Sequence, residues 1–232
     1  MAALRSNVGR LNMGVLLLLR HGQASLGAAN YDELSELGRR QARAAGDRLA
    51  GADLEIGHVV CGSLVRQRDT AQAVLAGLGR RMADLAVDDR LDEYDHIGLL
   101  ATHPSGISFE AATTDEGNRA VQPALEEAIA RWAAGGGGDY RERHDEFTGR
   151  VLDAVGELSE RPGTTLAVTS GGVIAVACAQ QLGLPLTHWP ALARVLVNGS
   201  ITKFVTGRSG TNLLTFNDHA HLESDRAMIT YR

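Results

Sequence analysis

The chain has 232 residues, 44% of them hydrophobic, which is enough to bury a substantial core in one α/β domain, with or without an insertion. Its formal net charge of −5 argues against a nucleic-acid partner bound through a broad basic surface. The apolar run at residues 13–19 is too short to span a bilayer and ends at Arg20 and His21, so we expect neither membrane association nor a secretory signal.

The two cysteines and the N-terminal segment indicate the expected compartment and domain organisation. Cys61 and Cys178 lie far apart and lack the spacing of a metal or redox motif, which suits a reducing, cytoplasmic compartment. We expect residues 1–12 to form a disordered leader, since either Met1 or Met13 can start the chain. A single α/β domain is then expected over residues 13–232. No feature of the sequence indicates the oligomeric state.

The first half of the chain alternates strands and helices. Residues 15–19 are uninterrupted apolar residues, which predicts a strand buried on both faces. Ser35 is a typical N-cap for a helix over residues 36–50. Residues 58–61 predict a second strand, and apolar residues at helical spacing predict that a helix follows it.

Residues 90–140 differ in composition from the rest of the chain. They are rich in proline and glycine and contain one clear helical segment, residues 123–134. The four glycines at 135–138 resemble a flexible joint. We therefore interpret this region as a helical and loop insertion that covers an active site.

The second half returns to alternating elements, which are a helix at 141–158, a strand at 164–169, a helix at 173–182 and strands at 201–205 and 213–216. Strands that alternate with helices indicate an α/β fold with a mainly parallel central sheet and helices on both faces.

Polar residues follow three of the predicted strands. Arg20 and His21 end the first, Arg66 follows the second, and Ser170 follows the strand at 164–169. Ligands of open α/β sheets bind beyond the carboxyl ends of the strands, so these turns can form one pocket. The arginine fork suits phosphate, and a neutral histidine can attack phosphorus. The alternative is that Arg20 and His21 only mark where a buried strand reaches solvent.

Four segments carry a family resemblance, namely LLLLRHGQAS, LSELGRRQA, SLVRQRDTA and the LDE at residues 91–93. Together they resemble the histidine phosphatase superfamily, which includes the cofactor-dependent phosphoglycerate mutases. The resemblance extends from residue 15 to about residue 216 and is weakest in the insertion. It implies that His21 accepts the phosphoryl group, that Arg20 and Arg66 bind phosphate, and that Glu93 donates a proton to the leaving oxygen. We prefer Arg66 to Arg68, because a threonine four residues later completes the family pattern.

Gln23, Ser25 and Ser170 are further candidates for the pocket. Gln23 and Ser25 either reach the substrate or cap a turn. Members of the family usually have a second histidine where this chain has Ser170, and losing that donor is expected to cost about 10²- to 10³-fold in rate. We expect Ser170 to cap a helix whose start, with Gly171, offers N–H groups to the phosphate.

Two other histidines, His96 and His219, are the candidates that can compensate for that loss. Asp218, His219 and His221 also suggest a metal site, although a histidine pair in a polar terminal stretch is usually exposed. We therefore predict no metal site there.

The resemblance implies a phosphomonoester hydrolase that forms a phosphohistidine on His21 and requires neither a metal nor an organic cofactor. One alternative is phosphoryl transfer of the phosphoglycerate mutase type, which the acidic segment around Glu93 disfavours. The other is a pseudoenzyme that binds phosphate esters without turnover, which Ser170 motivates. The expected ligand is a small phosphate ester or a phosphorylated peptide, with no nucleic acid and no membrane.

Overall fold

The computed structural model describes residues 14–25, 31–136 and 138–231. The leader expected at residues 1–12 lies outside them. No helix of the described part is both long and apolar enough to cross a membrane.

The centre of the fold is one sheet of six strands in the order β3-β2-β4-β1-β5-β6. The strands are β1 (Gly14–Arg20), β2 (Ile56–Cys61), β3 (Leu85–Val87), β4 (Gly163–Thr169), β5 (Ile201–Gly207) and β6 (Gly210–Asp218). The first four are parallel, whereas β5 pairs antiparallel with both β1 and β6. The predicted α/β fold with a mainly parallel sheet is thus confirmed.

Seven α-helices are found in the described residues, together with several short 3₁₀ helices. They are α1 (Glu36–Ala50), α2 (Val65–Gly77), α3 (His96–Ala101), α4 (Asp115–Ala133), α5 (His144–Glu160), α6 (Gly171–Gln181) and α7 (Trp189–Ala193). The 3₁₀ helices are Met82–Asp84, Asp89–Leu91, Phe109–Thr113, Leu186–His188, Ala220–Leu222 and Arg226–Met228.

The predicted buried strand is the central one, and its side chains alternate between two cores. Leu16 and Leu18 pack with residues of α5 and α6 on one face of the sheet. Leu17 and Leu19 pack with residues of α1 and α2 on the other face. All four leucines are at most 3% exposed, and burial of each stabilises the fold by about 1.5–3 kcal/mol. Because β1 is held on both faces, the residues at its end have a rigid base.

The loop after β1 lies directly on the start of α1. As predicted, Ser35 caps this helix, and its side chain accepts a hydrogen bond from the Gly38 amide at 3.0 Å. A Cβ atom at Gly22 would overlap the Gly38 carbonyl. The Gln23 amide donates to Gln41 Oε1 at 2.8 Å. A glycine at position 22 therefore allows the backbone of the loop to lie directly against the backbone of α1.

The insertion contains more helix than the sequence indicated. The predicted helix start at residue 123 is wrong, because α4 begins at Asp115 and contains Pro123 in its interior. Its real start is capped by Thr114, whose side chain accepts from the Gly117 amide at 3.0 Å. The short helix α3, which was not predicted, is capped in the same way by Asp95. Pro123 predicts a helix start because a proline ring is tolerated in the first turn of a helix, but the packing of α4 overrides that preference.

Candidate active site

The carboxyl ends of β1, β2 and β4 open into a cavity of about 550 Å³. The sequence-predicted residues that line it are Arg20, His21, Gln23, Ser25, Arg66, Glu93, His96 and Gly171. The three turns identified from the sequence therefore meet in one place, and residues of the segment 90–140, among them Phe109 and Leu125, also line the cavity.

His21 lies at the base of the cavity and is only 5% exposed. Its Nδ1 is 2.7 Å from the Gly22 carbonyl oxygen, which can only accept, so the ring proton is on Nδ1. Nε2 therefore keeps its lone pair and accepts from Arg66 Nε at 3.2 Å. Burial, with the charges of Arg66 and Arg20, holds the pKa of His21 well below its usual 6.5. A neutral imidazole with this tautomer is the form that can attack phosphorus.

Arg20 is the last residue of β1, and its guanidinium is buried at the cavity. One of its terminal nitrogens donates to the Leu196 carbonyl. Its Nε is buried and has no hydrogen-bond partner among the described residues. Burial lowers the pKa of Arg20 to about 10, so the side chain still carries its charge at neutral pH. A buried cation with an unused donor is suited to bind an anion.

Arg66 comes from the first turn of α2 and is oriented by an acidic partner. It forms an ion pair with Asp32, which also accepts from the Val65 amide at 2.7 Å. The guanidinium carbon is 5.8 Å from the centre of the Tyr31 ring. Thr70 Oγ1 donates to the Arg66 carbonyl at 2.7 Å and accepts from the Gly22 amide at 3.1 Å. Arg66 thus reaches the cavity, as the threonine spacing indicated.

Glu93 enters the cavity from the segment that follows β3. Its Oε2 accepts from the Gly172 amide at 3.1 Å at the start of α6. Burial raises the pKa of Glu93 above its usual 4.5, against the opposing effects of the Gly172 amide and the two arginines. A Cβ atom at Gly172 would overlap the other carboxylate oxygen. Glycine at this position thus lets the carboxyl group approach the backbone.

Ser170 differs from its expected role. It holds the N-cap position of α6, but its side chain makes no capping hydrogen bond, so that part of the prediction is wrong. Instead, Ser170 Oγ accepts from Gln67 Nε2 at 2.9 Å, and both residues are fully buried. Gln67 Nε2 also donates to the Leu91 carbonyl at 3.0 Å. Gly171 and Gly172, but not Ser170, are among the described residues that line the cavity.

The other histidines have different surroundings. His96 lines the cavity, edge-on to the Phe109 ring at 4.8 Å, and burial lowers its pKa to about 4. His219 is not among the described lining residues, and its Nδ1 is 2.6 Å from the Asn217 carbonyl oxygen. His221 Nε2 is 3.0 Å from the Gly199 carbonyl oxygen. The expectation that His219 and His221 are exposed is wrong, since both are half-buried. The described residues contain no cluster of metal-ligating side chains.

Aromatic and aliphatic side chains line another part of the cavity. Tyr31, Phe109, Leu125 and Trp189 contribute to it, and the rings of Tyr31 and Phe109 meet edge-to-face at 5.0 Å. Sequence reasoning missed Tyr31, Asp32 and Gln67. Tyr31 and Asp32 lie outside the quoted segments, and although Gln67 lies within SLVRQRDTA, no spacing there predicts its bond to Ser170.

Comparison with known proteins gives a family match over most of the chain. The model of the histidine phosphatase superfamily (branch 1) matches residues 16–219. The glucosyl-3-phosphoglycerate phosphatase of Mycolicibacterium vanbaalenii is 34% identical over 201 residues, covering 76% of this chain and 78% of that protein. The structure of a mycobacterial glucosyl-3-phosphoglycerate phosphatase with inorganic phosphate is 28% identical with a TM-score of 0.60, covering 89% of this chain and 98% of that one. The phosphoglycerate mutase from Bacillus anthracis shares the fold, with a TM-score of 0.65 at 19% identity over 91% of this chain and 96% of that one.

Proposed function

Because the chain belongs to the histidine phosphatase superfamily, we propose that it hydrolyses phosphate monoesters through a phosphohistidine on His21, without a metal ion. The observation that carries the proposal is the neutral His21 ring, whose Nε2 lone pair accepts from the buried Arg66 and whose pKa the buried Arg20 also lowers. Two further findings support it. The relative from Mycolicibacterium vanbaalenii is named a phosphatase, and a structural relative binds inorganic phosphate.

In the first half-reaction, His21 Nε2 attacks phosphorus as the bond to the leaving oxygen breaks. Arg20 Nε and the Arg66 guanidinium donate to the non-bridging oxygens, so Arg66 exchanges its contact with Nε2 for one with the phosphoryl group. Glu93, whose pKa is raised by burial, acts as the acid and gives its proton to the leaving oxygen. The products are an alcohol, a phosphohistidine and the Glu93 carboxylate.

In the second half-reaction, water returns the site to its starting state. The Glu93 carboxylate takes one proton from a water molecule as the water oxygen attacks phosphorus and the N–P bond breaks. Inorganic phosphate leaves, His21 is again neutral and Glu93 is again protonated. The two arginines supply the positive charge that a metal supplies in other phosphatases.

The proposal is tested by trapping the intermediate. We expect steady phosphate release from phenyl phosphate that is unaffected by EDTA. An alkaline quench during turnover should give a phosphoprotein with the group on His21, stable in alkali and lost in acid. Turnover without a trapped phosphohistidine, or with loss of activity in EDTA, would contradict the mechanism.

We also propose that Ser170 stands where the family usually has its second histidine, and that Gln67 now fills the adjacent space. The support is the buried hydrogen bond between Gln67 Nε2 and Ser170 Oγ. A histidine at position 170 would meet this amide, so Ser170→His alone is expected to gain little. In a Gln67→Ala background, Ser170→His is expected to raise kcat about 10- to 100-fold over Gln67→Ala alone.

The matched control is Ser170→Asn in the same Gln67→Ala background, which adds bulk and a neutral donor but no charge. Comparison within this background removes the effect of losing the bond to Leu91. Equal rates for the histidine and asparagine variants would show that position 170 does not act on the phosphoryl group. If the unmodified protein releases no phosphate and the histidine variant does, the protein is a phosphate-ester binder.

A further inference from the structure

We infer that the cavity takes phosphate esters of uncharged, largely apolar alcohols, with an aromatic ring as the best occupant, and disfavours esters that carry a second anionic group. The inference rests on the proposed phosphatase function for its catalytic test but also predicts binding that needs no catalysis. It concerns the wall that faces the alcohol, beyond the phosphate-binding arginines.

The first argument is the chemistry of that wall. Phe109 and Leu125 are half-buried and line the cavity, so both keep apolar surface for a ligand. Tyr31 packs edge-on against Phe109 at 5.0 Å and can meet an aromatic ligand in the same geometry. His96 adds a neutral ring to this wall because burial lowers its pKa to about 4. Aromatic and aliphatic surface recognises a ligand of the same kind.

The second argument is the distribution of charge. Among the described lining residues, the arginines are Arg20, Arg66 and Arg194, and the first two face the phosphoryl group. Arg194 lies at the rim, 62% exposed, and is already paired with Glu126 at 3.3 Å. Glu36 also lines the mouth and adds a second carboxylate there. A carboxylate or second phosphate on the ligand would thus meet a paired arginine and two acids.

The third argument is space. A cavity of about 550 Å³ lies within the range of about 300–1,000 Å³ that holds drug-sized ligands, so it has room for a phosphoryl group and a ring. Filling the apolar wall with a ring is expected to raise kcat/KM about 10- to 100-fold over a short alkyl chain. This preference differs from what the name of the mycobacterial relative suggests, since a glycerate carries a carboxylate.

The catalytic test compares three substrates with the same kind of primary alkyl leaving oxygen, namely 2-phenylethyl phosphate, propyl phosphate and 3-phosphoglycerate. We expect kcat/KM to fall in that order, with at least about a tenfold step at each stage. Equal values for the three would leave the phosphatase function standing and overturn the substrate class. A preference for 3-phosphoglycerate would also overturn it.

A binding test separates this inference from the proposed function. Calorimetry with 2-phenylethylphosphonate and 3-phosphonopropanoate, which carry no ester bond to hydrolyse, is expected to show at least tenfold tighter binding of the first. If none of the esters turns over and this preference holds, the phosphatase proposal fails and the ligand class stands. Equal or reversed affinities overturn the ligand class, whatever the turnover.

A charge-reversal pair at one position provides the matched variants. Gln122 is exposed on α4 and lines the cavity, so either charge can be placed there without opening the core. Gln122→Arg is expected to raise kcat/KM for 3-phosphoglycerate relative to propyl phosphate about fivefold, and Gln122→Glu to lower it. Added salt should reduce both effects. A ratio that does not differ between the two variants would contradict the charge argument.

Discussion

His21→Ala is expected to lower phosphate release at least about 10⁴-fold, because it removes the atom that would form the bond to phosphorus. Water would have to replace Nε2 without the orientation that the Gly22 carbonyl and Arg66 give to the ring. The measurement is phosphate release from phenyl phosphate under saturating substrate. The same variant should give no alkali-stable phosphoprotein.

Binding and a second variant show whether the loss is chemical. Arg20 and Arg66 remain in His21→Ala, so inorganic phosphate should bind within about tenfold of its original affinity. His219→Ala removes another half-buried histidine, outside the described cavity lining, and should change kcat less than tenfold. Activity retained in His21→Ala, with the fold intact, would assign the nucleophile to another residue.

Glu93→Gln should lower kcat/KM for propyl phosphate about 10²- to 10⁴-fold, since an alkoxide leaves poorly without a proton. The loss should be much smaller for 4-nitrophenyl phosphate, whose leaving group needs no proton. The amide keeps the size of the side chain and can still accept from Gly172. Glu157→Gln, which removes an exposed carboxylate on α5, is the control, and it should leave kcat/KM unchanged for both substrates. Equal losses on both esters would indicate misplacement of the phosphate and not a missing acid.

The pH dependence of turnover tests the roles of His21 and Glu93. Turnover of an alkyl ester needs neutral His21 and protonated Glu93. Activity should fall on the acid side as pH drops through the pKa of His21, which lies well below 6.5. It should fall on the alkaline side as pH rises through the pKa of Glu93, which lies above 4.5. In Glu93→Gln the alkaline limb due to Glu93 should be absent, while the ionisation of the substrate stays the same for both proteins.

The core elements could be predicted because local signals and packing agree. β1 reads as an unbroken apolar run, and α1 carries its own cap in Ser35. The order of strands in the sheet was not readable, since β1 lies between β4 and β5, which are distant in sequence. In the insertion, the signal at Pro123 conflicted with the packing of α4, and the structure follows the packing.

The candidate site likewise contains residues that the sequence predicts and residues that it does not. Four residues follow strands or belong to short motifs, so their meeting in one cavity could be predicted from the sequence. They are Arg20, His21, Arg66 and Glu93. Asp32 and Gln67 act on their neighbours through single hydrogen bonds or ion pairs that depend on the folded geometry. The side chain of Ser170 was misassigned because a serine before a helix is usually a cap, and here Gln67 competes for its hydroxyl.

The two walls of the cavity belong to separate parts of the chain. The base, with Arg20, His21 and Gly171, is formed by the ends of β1 and the start of α6. Part of the remaining lining, including Phe109 and Leu125, is contributed by the insertion. Mutations around Phe109 and Leu125, which lie beyond Glu93 in the insertion, can therefore accumulate without displacing the atoms that react. Divergence of substrate range within a lineage of such proteins would then proceed through one segment, while the reaction itself is inherited unchanged.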